Sequence, residues 1–491
     1  MTPFGKFCVV TMATLLGSTA VTAEIRLRSG DGSVDIVGDL VRFEDNFFVI
    51  QSEMGELRLS ADTVACEGAD CPAGVELSPY LTVAGSDTLA DNLIPLLVEG
   101  FAAEADALTE STRASDDAIE YEVEMTGEQG FGDPVGTIRV RSTLSSDGFS
   151  NLLGGSAEIG LASRRIRDEE SELIQKYFGA DMSSPANEHI VAVDSLVVVT
   201  HPDNPVSSLT MDQLRAIYGG EITNWSQVGG TNTPITVIQR PAGSGTRSVF
   251  TSKVFADSVA GTTARQQIAA GSRDVSDIVT TDPAAIGYVS FAFLRGAKPL
   301  SLVNECGLTM TPDAFSARTE EYELNRFLYF YSLDDRSNQL SNDFIDYATS
   351  PVADVVVAKS GFIDLGISRQ EQDLSSPRAR ALRVAAPTAL EQNTQSEMLT
   401  LMNGYDRLSA TYRFRTGSAE LNPRGLLNVE RMVDYLNANP SIQDVVFVGF
   451  TDEVGDFGYN LTLADGRANQ VMAQVRQRMG ARGAGLSYHR L

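Results

Sequence analysis

The sequence predicts an α/β fold with parallel strands, and three observations carry that prediction. Strand-like runs alternate with runs of helical periodicity from Leu81 onward. Each strand ends in small polar turn residues that lead into a helix, as in Gly85-Ser86-Asp87-Thr88, Ser145-Ser146-Asp147-Gly148 and Arg240 to Arg247. The run Ile190 to Val199 has the apolar character of a buried strand. In folds of this class, ligands gather at the carboxyl ends of the strands, where these turns lie.

A chain of 491 residues is long enough for about three domains. Its composition, 43% hydrophobic and 21% charged, is that of globular protein. Sixty-five acidic residues against 38 Lys plus Arg give a net charge of −27, which opposes binding to nucleic acid or anionic lipid. Any anion site must therefore be local.

Residues 1–23 read as a secretory signal peptide: Lys6, an apolar run from Phe7 to Leu16, then Val21-Thr22-Ala23 before a cleavage point at Glu24. The run is too short to span a bilayer, and no later segment reaches that length. Cys8 lacks the small-residue context of a lipoprotein signal, so the expectation is a soluble exported protein, with no transmembrane span.

Residues 24–78 alternate apolar and polar positions, as at Val34, Ile36, Val37, Phe47, Val49, Leu57 and Leu59, and predict a small antiparallel β unit. In an oxidising compartment Cys66 and Cys71 could close a small disulfide loop, or Cys306 could bridge to either. The three histidines, His189, His201 and His489, stand far apart without ligand spacing, so neither a metal nor a cofactor is expected.

The first strand–turn–helix unit runs from Leu81-Thr82-Val83-Ala84 into Leu89, Leu93, Leu96, Leu97 and Phe101, with Pro95 delaying or kinking the helix. In the second, strand Thr137 to Val140 precedes the turn Ser145 to Gly148 and helix residues Phe149, Leu152 and Leu153. The third runs from Ile235 to Gln239 through Arg240-Pro241-Ala242-Gly243-Ser244-Gly245-Thr246-Arg247 into Val249, Phe250, Val254 and Phe255. A helix start offers unpaired N–H groups and the positive end of the macrodipole, and hydroxyls with an arginine add donors. Taken alone, the third turn also reads as a Gly/Ser loop with solvated arginines.

The order and spacing of Gly85-Ser86-Asp87-Thr88-Leu89, Ser145 to Gly148, Ile159-Gly160 through Ser163-Arg164, Ile222-Thr223-Asn224-Trp225, and Arg240 to Thr246 resemble the phosphate-binding periplasmic family. These are the substrate-binding components of phosphate import transporters. The resemblance implies a two-lobed (type 2) clamshell over residues 79–367, crossing between lobes near Val193 to His201 and back near Ala285 to Phe291. It also implies an oxyanion held by groups of Ser86, Thr88, Leu89, Ser145, Ser146, Ser163, Arg240, Ser244, Gly245 and Thr246, with Arg164 and Arg247 adding charge at the rim. Where family members carry aspartates this chain has Ser163 and Ala242, which leaves the choice between phosphate and sulfate open. Asn304 to Thr311 and the aromatic run Phe327 to Tyr331 continue the lobe as core, and Asn342 to Ala348 reads as a helix.

Residues 368–404, polar and interrupted by Pro377 and Pro387, read as a linker. Beyond it come Phe414 to Leu421, an amphipathic helix with Leu426, Leu427, Val429, Met432, Val433 and Leu436, a strand Val445 to Val448, and Gly449-Phe450-Thr451-Asp452. Tyr459-Asn460, Leu463 and Arg467-Ala468 follow. This pattern over residues 405–491 resembles the α+β peptidoglycan-binding domain of the OmpA family. By that resemblance Asp452 takes the ammonium, and Arg467 the carboxylate, of a diaminopimelate stem, with Asn460 nearby. Ala464 replaces the family's usual serine, and the sequence ends in the strand after the second helix, which implies a shortened domain.

Together these features predict a non-catalytic periplasmic protein of a Gram-negative envelope that binds phosphate or a similar oxyanion and peptidoglycan. An ABC permease is a further candidate partner. The competing readings are a serine-dependent phosphoester or acyl hydrolase with Ser244 as nucleophile, and an envelope structural or adhesion protein. The hydrolase lacks the Gly-x-Ser-x-Gly spacing, since position 242 is alanine, and no histidine accompanies Ser244.

Overall fold

The protein, a computed structural model, is described at residues 24–490, except 30–33, 45–46, 53, 62–63, 69–70, 73–78, 127–133, 256–264, 305–306, 334–337, 374, 376–379, 381–387, 416, 452–454 and 484–486. The signal peptide, Cys306 and Asp452 lie outside the described residues. The chain divides into two compact units, residues 1–78 and 79–491.

In the first unit, β1 (Glu24–Arg28), β2 (Asp35–Glu44), β3 (Phe47–Ser52), β4 (Gly55–Ser60) and β5 (Ala65–Glu67) form one antiparallel sheet in the order β4-β3-β2-β1-β5. Alternation turns Ile25, Leu27, Phe48 and Ile50 into a small core. Cys66 and Cys71 are joined as a disulfide, S–S 2.02 Å, against that core.

The second unit is organised on an 11-stranded mixed sheet. Its first half holds β6 (Tyr80–Ser86), α1 (Asp87–Ala90), α2 (Leu93–Glu104), β7 (Ala107–Arg113), β8 (Ala118–Met125), β9 (Pro134–Thr143), α3 (Ser145–Gly154), β10 (Ile159–Ala162) and α4 (Asp168–Phe178). The helix expected after Thr88 is split, with Asp91 and Asn92 between α1 and α2, so Pro95 falls in the first turn of α2, where its missing N–H costs nothing. β6 lies between β9 and β10, parallel to both, in a register that pairs Ser86 with Thr143 and Gly85 with Leu161. That register alone brings Ser86, Ser145 and Ser163 to one edge of the sheet. Gly85 has φ of 138°, and a Cβ there would lie 2.3 Å from the Leu161 carbonyl oxygen, so the close strand packing requires glycine.

The long strand β11 (Glu188–Thr200) joins the halves. The second half contains β12 (Ser208–Thr210), α5 (Met211–Gly219), β13 (Thr236–Gln239), α6 (Gly245–Phe255), β14 (Gln266–Ile268), α7 (Ser272–Thr281), β15 (Ala285–Ser290), β16 (Lys298–Pro299), β17 (Ser301–Val303), β18 (Thr309–Met310) and α8 (Ala314–Arg318). β19 (Asn325–Tyr331) and α9 (Gln339–Thr349) close the first half, with α10 (Asp354–Lys359) behind them. Residues 188–195 of β11 pair with β19, and residues 196–200 pair with β15, so the crossing lies at Ser195–Leu196. The return does not lie at Ala285 to Phe291. β15 pairs antiparallel with β11 along 196–200 and stays in the second half, and the chain comes back where Leu324 leads into β19.

The cores explain the elements. Leu81, Val83, Leu97 and Leu161 share one cluster with Val199, Ile238, Val275, Phe330 and Phe344, spanning both halves. A second cluster gathers Trp225, Tyr218, Phe250 and Tyr288, with the last two rings stacked at 3.9 Å, and the Trp225 indole donates to the Ala284 carbonyl at 3.0 Å.

The stretch expected as a linker carries regular structure: β20 (Arg369–Gln370) pairs with β21 (Arg407–Leu408), and α11 (Ala389–Met402) opens with a Thr388 cap and Glu391 three residues on. Past Pro387 a capping box is available, and that suffices to start a helix. α12 (Pro423–Ala438), β22 (Asp444–Phe447), α13 (Phe457–Gly483) and β23 (Ser487–Arg490) complete the chain, with β22 and β23 parallel. Val429, Leu436, Val471 and Val475 are the centre of this last core.

Candidate functional site

Two strand ends and two helix starts converge at the edge of the sheet. Ser86 ends β6, Ser163 follows β10, Ser145 opens α3, and Gly245 and Thr246 open α6. The Ser86 hydroxyl donates to Ser163 Oγ at 3.0 Å, and the Ser145 and Ser163 hydroxyls are 3.3 Å apart. The Ser163 amide donates to Ser145 Oγ at 3.1 Å. Across the crossing, Thr88 Oγ1 lies 3.3 Å from Thr246 Oγ1, so hydroxyls of both halves meet. Ser86, Thr88, Ser145, Ser163, Ser244 and Thr246 are all buried.

Arg240, which follows β13, is fully buried at 0% exposure. Its Nη1 donates to Ser272 Oγ at 2.7 Å, and its Nη2 to Asp87 Oδ1 at 3.0 Å and the Ala270 carbonyl at 3.3 Å. Asp87 Oδ2 accepts from the Ser272 amide at 2.9 Å and its hydroxyl at 3.1 Å. The guanidinium is thus held from behind by a carboxylate at the start of α1 and by the start of α7. Arg240 Nε is a buried donor with no hydrogen-bond partner among the described residues. A buried N–H left unpaired is costly, and such a group suits an incoming acceptor.

The ten residues expected to contact an oxyanion fall in this one region. Ser146 joins it through its amide, which donates to the Gly243 carbonyl at 3.3 Å, while Leu89 is anchored in the core below. Ser244 Oγ accepts from the Arg247 amide at 3.3 Å, capping the first turn of α6. A Cβ on Gly245 would stand 2.3 Å from Ser145 Oγ and 2.5 Å from Ser163 Oγ, so this glycine lets the two helix starts approach.

Four participants escaped the sequence reading: Arg326, Asp194, Asp87 and Ser272. Arg326, on β19, donates from Nη1 to Thr246 Oγ1 at 2.8 Å and to the Ser163 carbonyl at 3.3 Å. Its Nε and Nη2 lie 2.8 and 2.7 Å from Asp194 Oδ2 on β11. Asp194 Oδ1 accepts from Ser290 Oγ at 2.7 Å. Burial pushes the Asp194 carboxyl up and the Arg326 guanidinium down, while their attraction opposes both changes. The signal for Asp194 and Arg326 was an aspartate and an arginine set inside two apolar runs, Ile190 to Val199 and Phe327 to Tyr331 with its preceding residue.

The rim arginines are otherwise placed. Arg164 is buried, with its guanidinium on Glu170 at 2.7 and 2.5 Å, because the acidic first turn of α4 packs over it. Arg247 Nη1 donates to the Arg240 carbonyl at 2.9 Å. Both serve local structure rather than a charged rim.

In the C-terminal region, Arg467 on α13 donates from Nε to the Ser418 carbonyl at 3.1 Å and from Nη1 to the Phe450 carbonyl at 3.0 Å, over the Phe414 ring at 5.2 Å. The helix and the loop after β22 therefore meet at Phe450. Asn460 lies in the first turn of α13, its amide donating to the Asp456 carbonyl at 2.9 Å. Among the described residues, no group of three or more His, Cys, Asp or Glu could hold a metal ion, and no helix is long and apolar enough to cross a membrane.

Residues 78–352, more than half of the chain, match the family model described as a PBP superfamily domain. The chain belongs to this family. Two relatives of this PBP-superfamily chain are phosphate-binding proteins PstS: that of Bacillus subtilis is 29% identical over 48% of this chain and 75% of the relative, and that of Pseudomonas aeruginosa is 26% identical over 46% and 74%. An ABC-type phosphate transport receptor from Vibrio cholerae, known from a crystal structure, is 23% identical with a TM-score of 0.42, covering 58% of this chain and 99% of the receptor.

Proposed function

We propose that this protein is an exported solute-binding protein that captures phosphate, or a related tetrahedral oxyanion, between the two halves of its PBP domain. The observation that carries the reading is the convergence of two buried guanidiniums, Arg240 and Arg326, with the hydroxyls of Ser86, Thr88, Ser145, Ser163 and Thr246 at two helix starts. A dehydrated oxyanion needs many inward donors to replace its water shell, and charge-assisted bonds are the strong ones. The names of the two PstS relatives agree with phosphate. The site binds and releases its ligand without chemistry on it.

Residues 405–491 are proposed to hold the protein on peptidoglycan, with Arg467, Asn460 and Asp452 at the diaminopimelate stem, and an ABC permease is the proposed recipient of the ligand. Calorimetric titration of the full chain with phosphate and arsenate, beside Arg240→Ala, tests the first part. Binding that is abolished or cut at least about tenfold in the variant is expected, and equal binding rejects the site. Retention on purified peptidoglycan, lost in Arg467→Ala, tests the second.

A further inference from the structure

We infer that Arg326 is a positioning residue which fixes the hydroxyl cluster as a cage of donors, so that the preferred ligand is a fully ionised tetrahedral oxyanion and sulfate competes with phosphate. This rests on the oxyanion reading above and names its ligand class more narrowly.

The argument begins with the direction of the hydrogen bonds. Arg326 Nη1 can only donate, so Thr246 Oγ1 accepts from it, and the hydroxyl proton of Thr246 is left for Thr88 Oγ1, 3.3 Å away, or for a ligand. The Ser163 amide likewise donates to Ser145 Oγ, which leaves the Ser145 proton to be given onward. Ser86 donates to Ser163 Oγ, which turns the Ser163 proton the same way. Thr246, Ser145 and Ser163 are thus supplied from behind, whereas Ser86 spends its own proton on Ser163.

The carboxylates tell the same story from the other side. A protonated oxyanion presents an O–H that needs a strong acceptor. Asp87 Oδ1 is taken by Arg240 and its Oδ2 by the Ser272 amide and hydroxyl. Asp194 Oδ2 is taken by Arg326 and its Oδ1 by Ser290. Asp147, in the first turn of α3, accepts from the Leu144 amide at 3.0 Å with Oδ2, and its Oδ1 lies 3.5 Å from Ser146 Oγ. Asp87, Asp194 and Asp147 are thus each engaged through both carboxylate oxygens by protein donors.

The consequence is a specificity that can be measured. A site built to accept an O–H from its ligand rejects an analogue lacking that proton by about 10⁴-fold or more. A cage of donors has no such lever. Sulfate carries no proton at neutral pH and matches phosphate in shape.

The test is competition calorimetry on the full chain with inorganic phosphate and inorganic sulfate. The expected result is a sulfate affinity within about tenfold of that for phosphate, about 1.4 kcal/mol. Phosphate binding with sulfate weaker by more than about a hundredfold overturns the donor cage, and binding of neither ion overturns the oxyanion reading instead. The role of Arg326 is read separately from Arg326→Gln and from the double change Arg326→Met with Asp194→Leu, which removes the buried pair without leaving a lone charge. In a folded variant, both anions lose affinity by a similar factor of at least about tenfold. Unchanged affinity in the double variant overturns the positioning role.

Discussion

Glu320 accepts two hydrogen bonds from Arg413, at 2.7 Å from Nη2 and 3.1 Å from Nε, so a carboxylate of the PBP domain is gripped by a guanidinium from the C-terminal region of the chain. Arg424 donates to the same carboxylate and lies over the Phe327 ring at 3.5 Å. Glu320 occupies the left-handed region at φ of 60°, a conformation that a non-glycine residue holds only when its surroundings insist. The neighbouring Glu321 carries Arg407 at 2.7 Å, and Thr411 donates to the Thr319 carbonyl at 3.0 Å. This contact precedes β19 directly, and Phe327 is the neighbour of Arg326. The strand that brings Arg326 to the hydroxyl cluster is therefore held at its start by Arg407, Thr411, Arg413 and Arg424.

Replacing Glu320 with alanine is expected to loosen that contact by about 2 kcal/mol, at the low end for a hydrogen-bonded charge pair because Arg413 is half exposed. Scanning calorimetry should then show the C-terminal region melting ahead of the rest. A single unshifted transition would count against a stabilising interface.

Gly245→Ala places a methyl group against Ser145 and Ser163. Overpacking of this kind costs about 1–3 kcal/mol, and here it falls on the cluster itself. Oxyanion affinity is expected to drop between about fivefold and a hundredfold with the fold retained. Wild-type affinity in the variant would show that α3 and α6 need not approach so closely.

Glu158 gives a pH dependence with a defined sign. Its Oε2 accepts from the Thr82 amide at 2.7 Å, yet burial raises its carboxyl above the ordinary 4.5. A folded value above the unfolded one means that its contribution is full below 4.5 and is lost as pH rises through the folded value. The variant Glu158→Gln removes the titration. The urea midpoint of Glu158→Gln, relative to wild type, should therefore climb as pH rises above 4.5. A pH-independent difference would refute the assignment.

The disulfide closes a short loop, so its removal by Cys66→Ser with Cys71→Ser should cost residues 24–78 about 2 kcal/mol. Thermal unfolding of the full chain, with and without the substitutions, should show a shift confined to one transition. Oxyanion binding should not change.

The strand–turn–helix units were legible because periodicity and turn chemistry are local. Leu89 to Phe101 and Val249 to Phe255 display their buried faces in the sequence itself, and Ser145 or Gly245 marks a helix start through its neighbours. The helix at Ala389–Met402 was missed because the flanking prolines masked a good capping box. The return crossing was misplaced because β15 and β19 are both apolar strands, and only pairing distinguishes them.

By itself the sequence determined where chains of donors begin: the serines, threonines and glycines at strand ends, and Arg240 beside them. Pairing register, set by packing across distant segments, decided that these ends meet. It also decided that Asp194 and Arg326, 132 residues apart, form one buried pair behind the hydroxyls. A lone aspartate and a lone arginine in apolar strands announce a partner, because a buried charge must be compensated. Which partner, and which way the intervening hydroxyls point, is fixed only when two strands lie side by side in the sheet.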